Sequence, residues 1–199
     1  FYQEARERLT PGGVICQFVP MNFLTREDFR SVVGTFVETF PQSVLWYNPS
    51  ELLLVGTNAD RIEIPEARIE FLGTEAIQQD LDFAYWGGGR QYLQKKHVFL
   101  GGFLCGPGDL KKMTAGAAIY VDDRPLLEYL HVRDLEYHRP VVELIEDHLT
   151  PLTEILEKPL STAVVASSHR VRRDNLRSIL TDQYLEAGNR LFESGDPRG

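Results

Sequence analysis

The feature that most restricts the fold is a short apolar segment, Val14–Val19, whose sequence VICQFV contains one strongly polar residue. A nearly continuous apolar run of this length is typical of a parallel strand that is buried on both faces of its sheet. The segment follows Thr-Pro-Gly-Gly at residues 10–13, a turn sequence that ends a helix predicted over residues 1–9. We therefore expect a mixed α/β fold that contains this strand.

A second helix and a hairpin follow the strand. Thr25 is placed to cap a helix, with Asp28 three residues later as a short form of the capping box. The apolar stripe of this helix runs to Phe40, where a proline ends it. Residues 43–47 and 51–57 are β-rich and are joined by a short Asn-Pro-Ser turn, which predicts an antiparallel hairpin. We expect the strand and the hairpin to share one sheet.

The pattern divides the chain into three regions. Residues 1–60 carry the α/β order described above. Residues 61–135 form a predicted helical insert that ends in an edge-strand segment, because Pro125 would be excluded from a central strand. Residues 136–199 form a predicted helical connector, whose last helix covers residues 182–192.

The charge balance excludes one class of function. A net charge of −8 and a pI near 5.2 argue against a general nucleic-acid surface, which would carry a basic excess. The same balance favours ordinary cytosolic solubility, or attraction of a small cationic ligand. No apolar run approaches the ~18 residues of a membrane span and no signal peptide is visible, so we expect a cytoplasmic location.

The cysteines and the chain ends carry two further expectations. Cys16 and Cys105 are too few for a disulfide framework, and their apolar neighbours predict buried free thiols. The chain starts at Phe1 inside a helical pattern and ends in the turn-like sequence of residues 194–199. Both ends suggest a piece cut from a larger protein.

Neither a phosphate loop nor a metal site is expected from the motifs. The three glycines at residues 87–89 lack the preceding strand and the following Lys-Ser/Thr that a phosphate cradle requires. The histidines show no ligand spacing, and there is no Cys-x-x-Cys. A zinc site built from His97, Cys105 and His131 would need an arrangement that their spacing does not indicate.

The densest acidic group consists of Asp122, Asp123 and Glu128, beside a proline turn. Carboxylates here could bind the ammonium groups of a polyamine or act as a general base. The structural alternative is that they cap the turn and bind their neighbour Arg124. Both interpretations stay open.

Several of these segments together resemble one protein family. The residues that carry the resemblance are Phe1-Tyr2, residues 9–14, Gln17, residues 27–30, Thr35-Phe36, Phe40-Pro41, residues 52–56, and Asp122-Asp123-Arg124-Pro125 with Leu127-Glu128-Tyr129. They are similar to the carboxyl-terminal part of the spermidine synthase-like family, whose class I methyltransferase-like (Rossmann-type) sheet closes with a parallel strand, a helix and an antiparallel hairpin. Tyr120 and Val121 replace an Asn-Thr pair found in bacterial members.

The resemblance implies a parent protein that transfers an aminopropyl group from decarboxylated S-adenosylmethionine to a polyamine. The donor-binding elements and the catalytic aspartate would lie upstream of Phe1, so this chain alone would hold no cofactor and would not be catalytically competent. Gln17, at the end of the last parallel strand, and Asp122 and Asp123 are the candidate substrate-binding residues. Gln17 could equally be an amide that satisfies loop backbone. The alternatives are a fragment of an S-adenosylmethionine-dependent methyltransferase and a non-catalytic scaffold.

Three expectations concern association. Residues 187–196 resemble the first helix of a tetratricopeptide repeat, so repeats further downstream would bind protein partners. Without upstream strands, Val14–Val19 has an unpaired edge, and we expect a homo-oligomer through that edge or through the helix at residues 184–192. A monomer would result if the chain after Ile62 covered the edge. Similar bacterial proteins are often fused to a transporter-like half, which implies that the parent is tethered to the inner membrane.

Overall fold

The computed structural model describes residues 1–19, 24–48, 51–82, 93–121 and 138–193, with side chains of the last helix described through residue 181. The helices are α1 (Tyr2–Arg8), α2 (Arg26–Thr39), α3 (Glu66–Phe71), α4 (Glu75–Asp80), α5 (Lys96–Leu100), α6 (Pro107–Met113), α7 (His138–Glu146) and α8 (Thr162–Glu193), with a 3₁₀ turn at Leu152–Glu154. The strands are β1 (Val14–Val19), β2 (Gln42–Asn48), β3 (Glu51–Thr57) and β4 (Phe103–Cys105).

These strands form a single four-stranded sheet with the order β1-β3-β2-β4. Each neighbouring pair is antiparallel, with Val14 opposite Thr57 in the β1–β3 ladder and Gln42 opposite the same Thr57 in the β2–β3 ladder. The predicted mixed α/β class is confirmed, as is the prediction that the first strand and the hairpin share one sheet. Since β1 and β2 both run antiparallel to β3, they run in the same direction on either side of it.

The prediction that β1 is buried on both faces is wrong. Val14, Cys16 and Phe18 are exposed, whereas Val19 is buried and Ile15 packs against the core. The reason is position, because β3 is the only strand that pairs with β1 in the described part of the chain. The expected buried thiol is likewise wrong for Cys16 and confirmed for Cys105.

Helix α2 begins and packs as its sequence predicts. The Thr25 side chain accepts a hydrogen bond from the backbone N–H of Asp28, and the Asp28 side chain accepts one from the backbone N–H of Thr25, which completes the capping box. The buried face of the helix includes Phe29, Val33 and Phe36. Phe36 contacts both β3 and α1, since its ring lies 5.3 Å from that of Tyr2.

Two hydrophobic clusters fill the fold. The larger cluster joins α2 and the sheet to α6, α7 and α8, and includes Leu54, Val141 and Leu176. The smaller cluster is centred on Val44 and Phe103 and involves α3, α5 and the 3₁₀ turn. The carboxyl-terminal helices therefore share a core with the sheet, which is how a short sheet gains enough cover to be stable.

Two local predictions are corrected. The apolar residues 91–104 favour a helix, but in the described residues α5 ends at Leu100 and β4 begins at Phe103. Gly102 allows this turn, because a Cβ there would lie 2.3 Å from both the Trp46 indole nitrogen and the Tyr47 carbonyl oxygen. The helix predicted over residues 182–192 is the end of the 32-residue α8. Within the described ranges, no helix combines the length and apolar character needed to cross a bilayer.

Candidate functional site

Gln17 lies in the middle of β1, opposite Leu54 of β3, and its side chain is half-buried. Its amide nitrogen donates a hydrogen bond to the backbone carbonyl of the next residue, Phe18, at 2.8 Å. The side chain therefore satisfies backbone within its own strand. The sequence left open that this amide satisfies backbone groups of a loop. In the structure it satisfies a backbone group of its own strand instead.

Asp122 and Asp123, the other two candidate substrate residues, lie outside the described residues. The chain that leads to them is described through Val121 and runs beside α2. The backbone N–H of Tyr120 donates to the Thr35 hydroxyl at 2.8 Å, and the Tyr120 hydroxyl donates to the Asp28 carboxylate at 3.3 Å. Further back, the Arg30 guanidinium donates to the carbonyls of Met113 and Ala115.

The backbone of this segment runs along α2 from Arg30 to Thr35, and the Tyr120 side chain reaches back to the amino-terminal turn of the helix. Asp28 lies in the first turn of α2 beside Glu27, and its oxygens are used by Thr25 and Tyr120. Burial, together with the negative charge of Asp28, raises the pKa of the Tyr120 phenol, so the hydroxyl stays a hydrogen-bond donor at neutral pH. This arrangement holds the segment before Asp122 against α2.

A second polar cluster, which we call the Thr150 cluster, consists of Cys105, Asp109, Thr150 and Arg172. The Thr150 hydroxyl donates to Asp109 at 2.6 Å and accepts from the backbone N–H of Gly106 at 2.7 Å. The Thr150 carbonyl accepts from the Arg172 guanidinium at 2.7 Å, and its N–H donates to the carbonyl of Leu104. The cluster therefore joins β4, α6 and α8.

The ionisation states in the Thr150 cluster indicate structure rather than catalysis. Burial, reinforced by the charge of Asp109, raises the pKa of the Cys105 thiol to about 12, so the free thiol stays protonated and is not a nucleophile at neutral pH. Burial also lowers the pKa of Arg172. Nothing in the sequence near Thr150 indicates its contact with Asp109, which lies 41 residues away.

No described group of three or more His, Cys, Asp or Glu side chains is arranged to hold a metal ion. Of the residues in the zinc alternative, Cys105 is buried and protonated, and His131 lies outside the described residues. A small cavity of about 60 Å³ lies beside Trp46, Phe99 and Asn175. It is far smaller than the roughly 300–1,000 Å³ of typical ligand pockets, so it can hold water but not a nucleoside.

Comparison with known proteins adds no relative to these observations. No family model, curated protein or solved structure matches the chain. Any functional inference must therefore come from the residues and their arrangement.

Proposed function

We propose that this chain is the carboxyl-terminal part of a spermidine synthase-like protein with a class I methyltransferase-like sheet. The parent transfers an aminopropyl group from decarboxylated S-adenosylmethionine to a polyamine. The support comes from the agreement between the quoted sequence segments and one feature of the fold, the way in which the sheet closes.

That feature is the path of residues 14–57. β1 leads through α2 to β2, and the hairpin then returns β3 into the space between β1 and β2. This is the strand, helix and antiparallel hairpin that the resemblance implies for the end of the sheet. The other edge of β1 has no partner in the described residues, and it is the place where a preceding parallel strand of the parent would pair.

The chemistry of the parent is a nucleophilic displacement. A polyamine amine attacks the aminopropyl carbon bonded to the sulfonium sulfur, that C–S bond breaks, and methylthioadenosine leaves as a neutral thioether. The amine gives its proton to a base that the upstream residues supply. Asp122 and Asp123 have the charge to bind the second ammonium group of the acceptor, in a chain of net charge −8.

The test uses a polypeptide that joins the residues encoded before Phe1 to residues 1–199. We expect an upstream glycine-rich loop and an aspartate, and transfer of radiolabelled aminopropyl groups to putrescine or spermidine. Methyl transfer from S-adenosylmethionine would instead support the methyltransferase alternative. If both motifs and both activities were absent, the protein would be a scaffold.

The role of the acidic pair has its own control. In the longer polypeptide, Asp122→Asn with Asp123→Asn should raise the KM for the polyamine about tenfold or more, because a charge-assisted contact is lost, with a smaller effect on kcat. Asp60→Asn, an acid in the bend after β3, should leave both constants unchanged. The 199-residue chain alone should show no heat of binding with either sulfonium donor, and micromolar binding by calorimetry would reject that part of the proposal.

A further inference from the structure

In the described residues, the outer edge of β1 has no strand partner and carries exposed apolar side chains. Val14 is 59% exposed and Phe18 is 46% exposed, which places both among the most exposed large apolar residues described. Cys16, between them on the same face, is also exposed. An uncovered edge of this kind is a site for pairing with another strand.

The hydrogen-bonding phase of β1 follows from its ladder with β3. The backbone N–H of Asn58 donates to the carbonyl of Gly13, and these residues are opposite each other when the register is continued by one step. In an antiparallel ladder, hydrogen-bonded pairs alternate with non-hydrogen-bonded pairs. Counting from Gly13, the backbone groups of Ile15, Gln17 and Val19 therefore point at β3. The N–H and C=O groups of Val14, Cys16 and Phe18 therefore point outward. The Phe18 carbonyl already accepts a hydrogen bond from the Gln17 amide at 2.8 Å, and its second lone pair can accept from a partner strand.

The chain segment that contains β1 carries no charge that would repel a second copy. Residues 9–25 contain no Asp, Glu, Lys or Arg, in a chain that is 25% charged. Two molecules of net charge −8 repel each other overall, so their contact is favoured where charge is absent. Edge strands that avoid pairing usually carry a charged residue or a proline, and β1 has neither.

We propose that two copies of this chain associate by antiparallel pairing of β1 with β1, about a two-fold axis that passes through Cys16. With this axis, Val14 of each copy lies opposite Phe18 of the other, so the three outward residues of one strand bond with the three of its partner. The two four-stranded sheets then form one continuous sheet. Exposed apolar side chains meet on a single face, because opposite residues of an antiparallel pair lie on the same side.

The proposal fixes the separation of the two Cys16 residues. Directly opposite residues of a hydrogen-bonded antiparallel pair have Cα atoms about 5.5 Å apart. That separation lies within the roughly 4.4–6.8 Å range that disulfides span. An axis through Gln17 instead would place Cys16 opposite Phe18 and would separate the thiols.

The contact is small, so the dimer is weak. Stable complexes bury roughly 1,200–2,000 Å², and a six-residue strand edge supplies only part of that area. We expect a dissociation constant on the order of 10–100 μM, which analytical ultracentrifugation across that range measures.

Charge at the axis tests the geometry. Cys16→Lys places two like charges opposite each other, as does Cys16→Glu, and each should weaken the dimer roughly five- to tenfold. An equimolar mixture of the two variants should restore it. Phe71→Lys is the matched control, because Phe71 is 48% exposed on α3, away from β1, and the dimer should persist. Circular dichroism confirms that each variant is folded.

Oxidation tests the position of the axis. Diamide takes two electrons and two protons from the two Cys16 thiols, and their sulfurs form an intermolecular disulfide. The reaction is run at pH 9, since partial burial raises the pKa of Cys16. Cys16→Ser should abolish the cross-linked dimer, and Cys105, which is fully buried, should not replace it. A monomer up to millimolar concentration would overturn the proposal, as would a dimer whose dissociation constant does not change with the charge at residue 16.

This inference is independent of the transferase activity. In the longer polypeptide, an upstream parallel strand would occupy the same edge, so that chain should resist cross-linking through Cys16. A monomeric 199-residue chain with an active longer form would reject the dimer alone. A cross-linked dimer in both forms, without activity in the longer one, would reject the proposed function alone.

Discussion

Thr150 shows how one residue can connect elements that are distant in sequence. It is 2% exposed, and its hydroxyl, carbonyl and N–H groups bond to Leu104 in β4, to Gly106 and Asp109 after that strand, and to Arg172 of α8. Each bond alone stabilises by only about 1 kcal/mol, but removing the hydroxyl leaves the buried N–H of Gly106 without an acceptor. The cost of that desolvated donor exceeds the value of the bond itself.

We expect Thr150→Val, which keeps the shape of the side chain, to lower the free energy of unfolding by about 2–3 kcal/mol. The control is Thr181→Val, because Thr181 is exposed on α8 and donates to the Arg177 carbonyl in its own helix. That change should cost less than about 0.5 kcal/mol. Urea denaturation of both variants makes the comparison, and equal losses would contradict the role given to Thr150.

Ionisation of Asp109 makes the stability of the Thr150 cluster depend on pH. Hydrogen bonds from Lys112 and then from Thr150 hold the pKa of its carboxyl below the usual value. A carboxyl with a lowered pKa in the folded state stabilises the fold above its unfolded pKa of about 3.9, and the contribution is lost as the pH falls through the folded pKa. Asp109→Asn should therefore reduce the acid sensitivity of unfolding below pH 4. Parallel stability profiles of the two proteins between pH 2 and 7 would contradict this.

At the scale of elements, α2 and β3 approach each other closely at Gly56. A Cβ at this position would lie 2.8 Å from the Phe36 ring and 2.8 Å from the Cβ of Phe40. Both phenylalanines are fully buried, so neither can move without disturbing the core. The glycine thus sets how closely the helix approaches the sheet.

Gly56→Ala should accordingly destabilise the protein by about 1–3 kcal/mol through overpacking. Gly108→Ala is its matched control, since a Cβ there meets nothing within 4 Å and the residue lies in α6. Alanine has the higher helix propensity, so this second change should be neutral or stabilising by up to about 1 kcal/mol. Melting temperatures followed by circular dichroism test the two variants. The melting temperature should fall for Gly56→Ala and should stay unchanged or rise for Gly108→Ala.

At the scale of the whole molecule, β1, β2 and β3 depend on helices that begin 81 or more residues after β3 ends at Thr57. Leu176 of α8 is 1% exposed and belongs to the same cluster as Leu54 of β3 and Phe36 of α2. Loss of its side chain leaves a cavity that the sheet also lines. We therefore expect residues 1–57 and the carboxyl-terminal helices to unfold together.

The test is Leu176→Ala, which should cost about 2–5 kcal/mol, against Leu180→Ala, which truncates a half-buried leucine of the same helix and should cost less. Both changes are made in a Trp86→Phe background, so that Trp46 of β2 is the remaining tryptophan. Fluorescence and helical circular dichroism should lose their signals at the same urea concentration. A fluorescence midpoint unchanged by Leu176→Ala would show that the sheet is independent of α8.

The sequence by itself determined the elements whose signals are local. The capping box of Thr25 and Asp28, the β-rich runs of the hairpin and the strand at Val14–Val19 each depend on residues a few positions apart, and all three are present. The family resemblance implied a substrate site at Gln17, Asp122 and Asp123. For Gln17 the sequence left two uses of the amide open, and the structure gives the backbone contact.

Only the tertiary structure decided which groups meet across long stretches of chain. The position of β3 between β1 and β2 sets Val14 opposite Thr57, and with it the exposure of Cys16 and Phe18. The bonds of Thr150 follow from the same kind of packing. An apolar run has the same pattern whether one face or both are covered, because burial depends on the neighbours of a strand and not on its own residues.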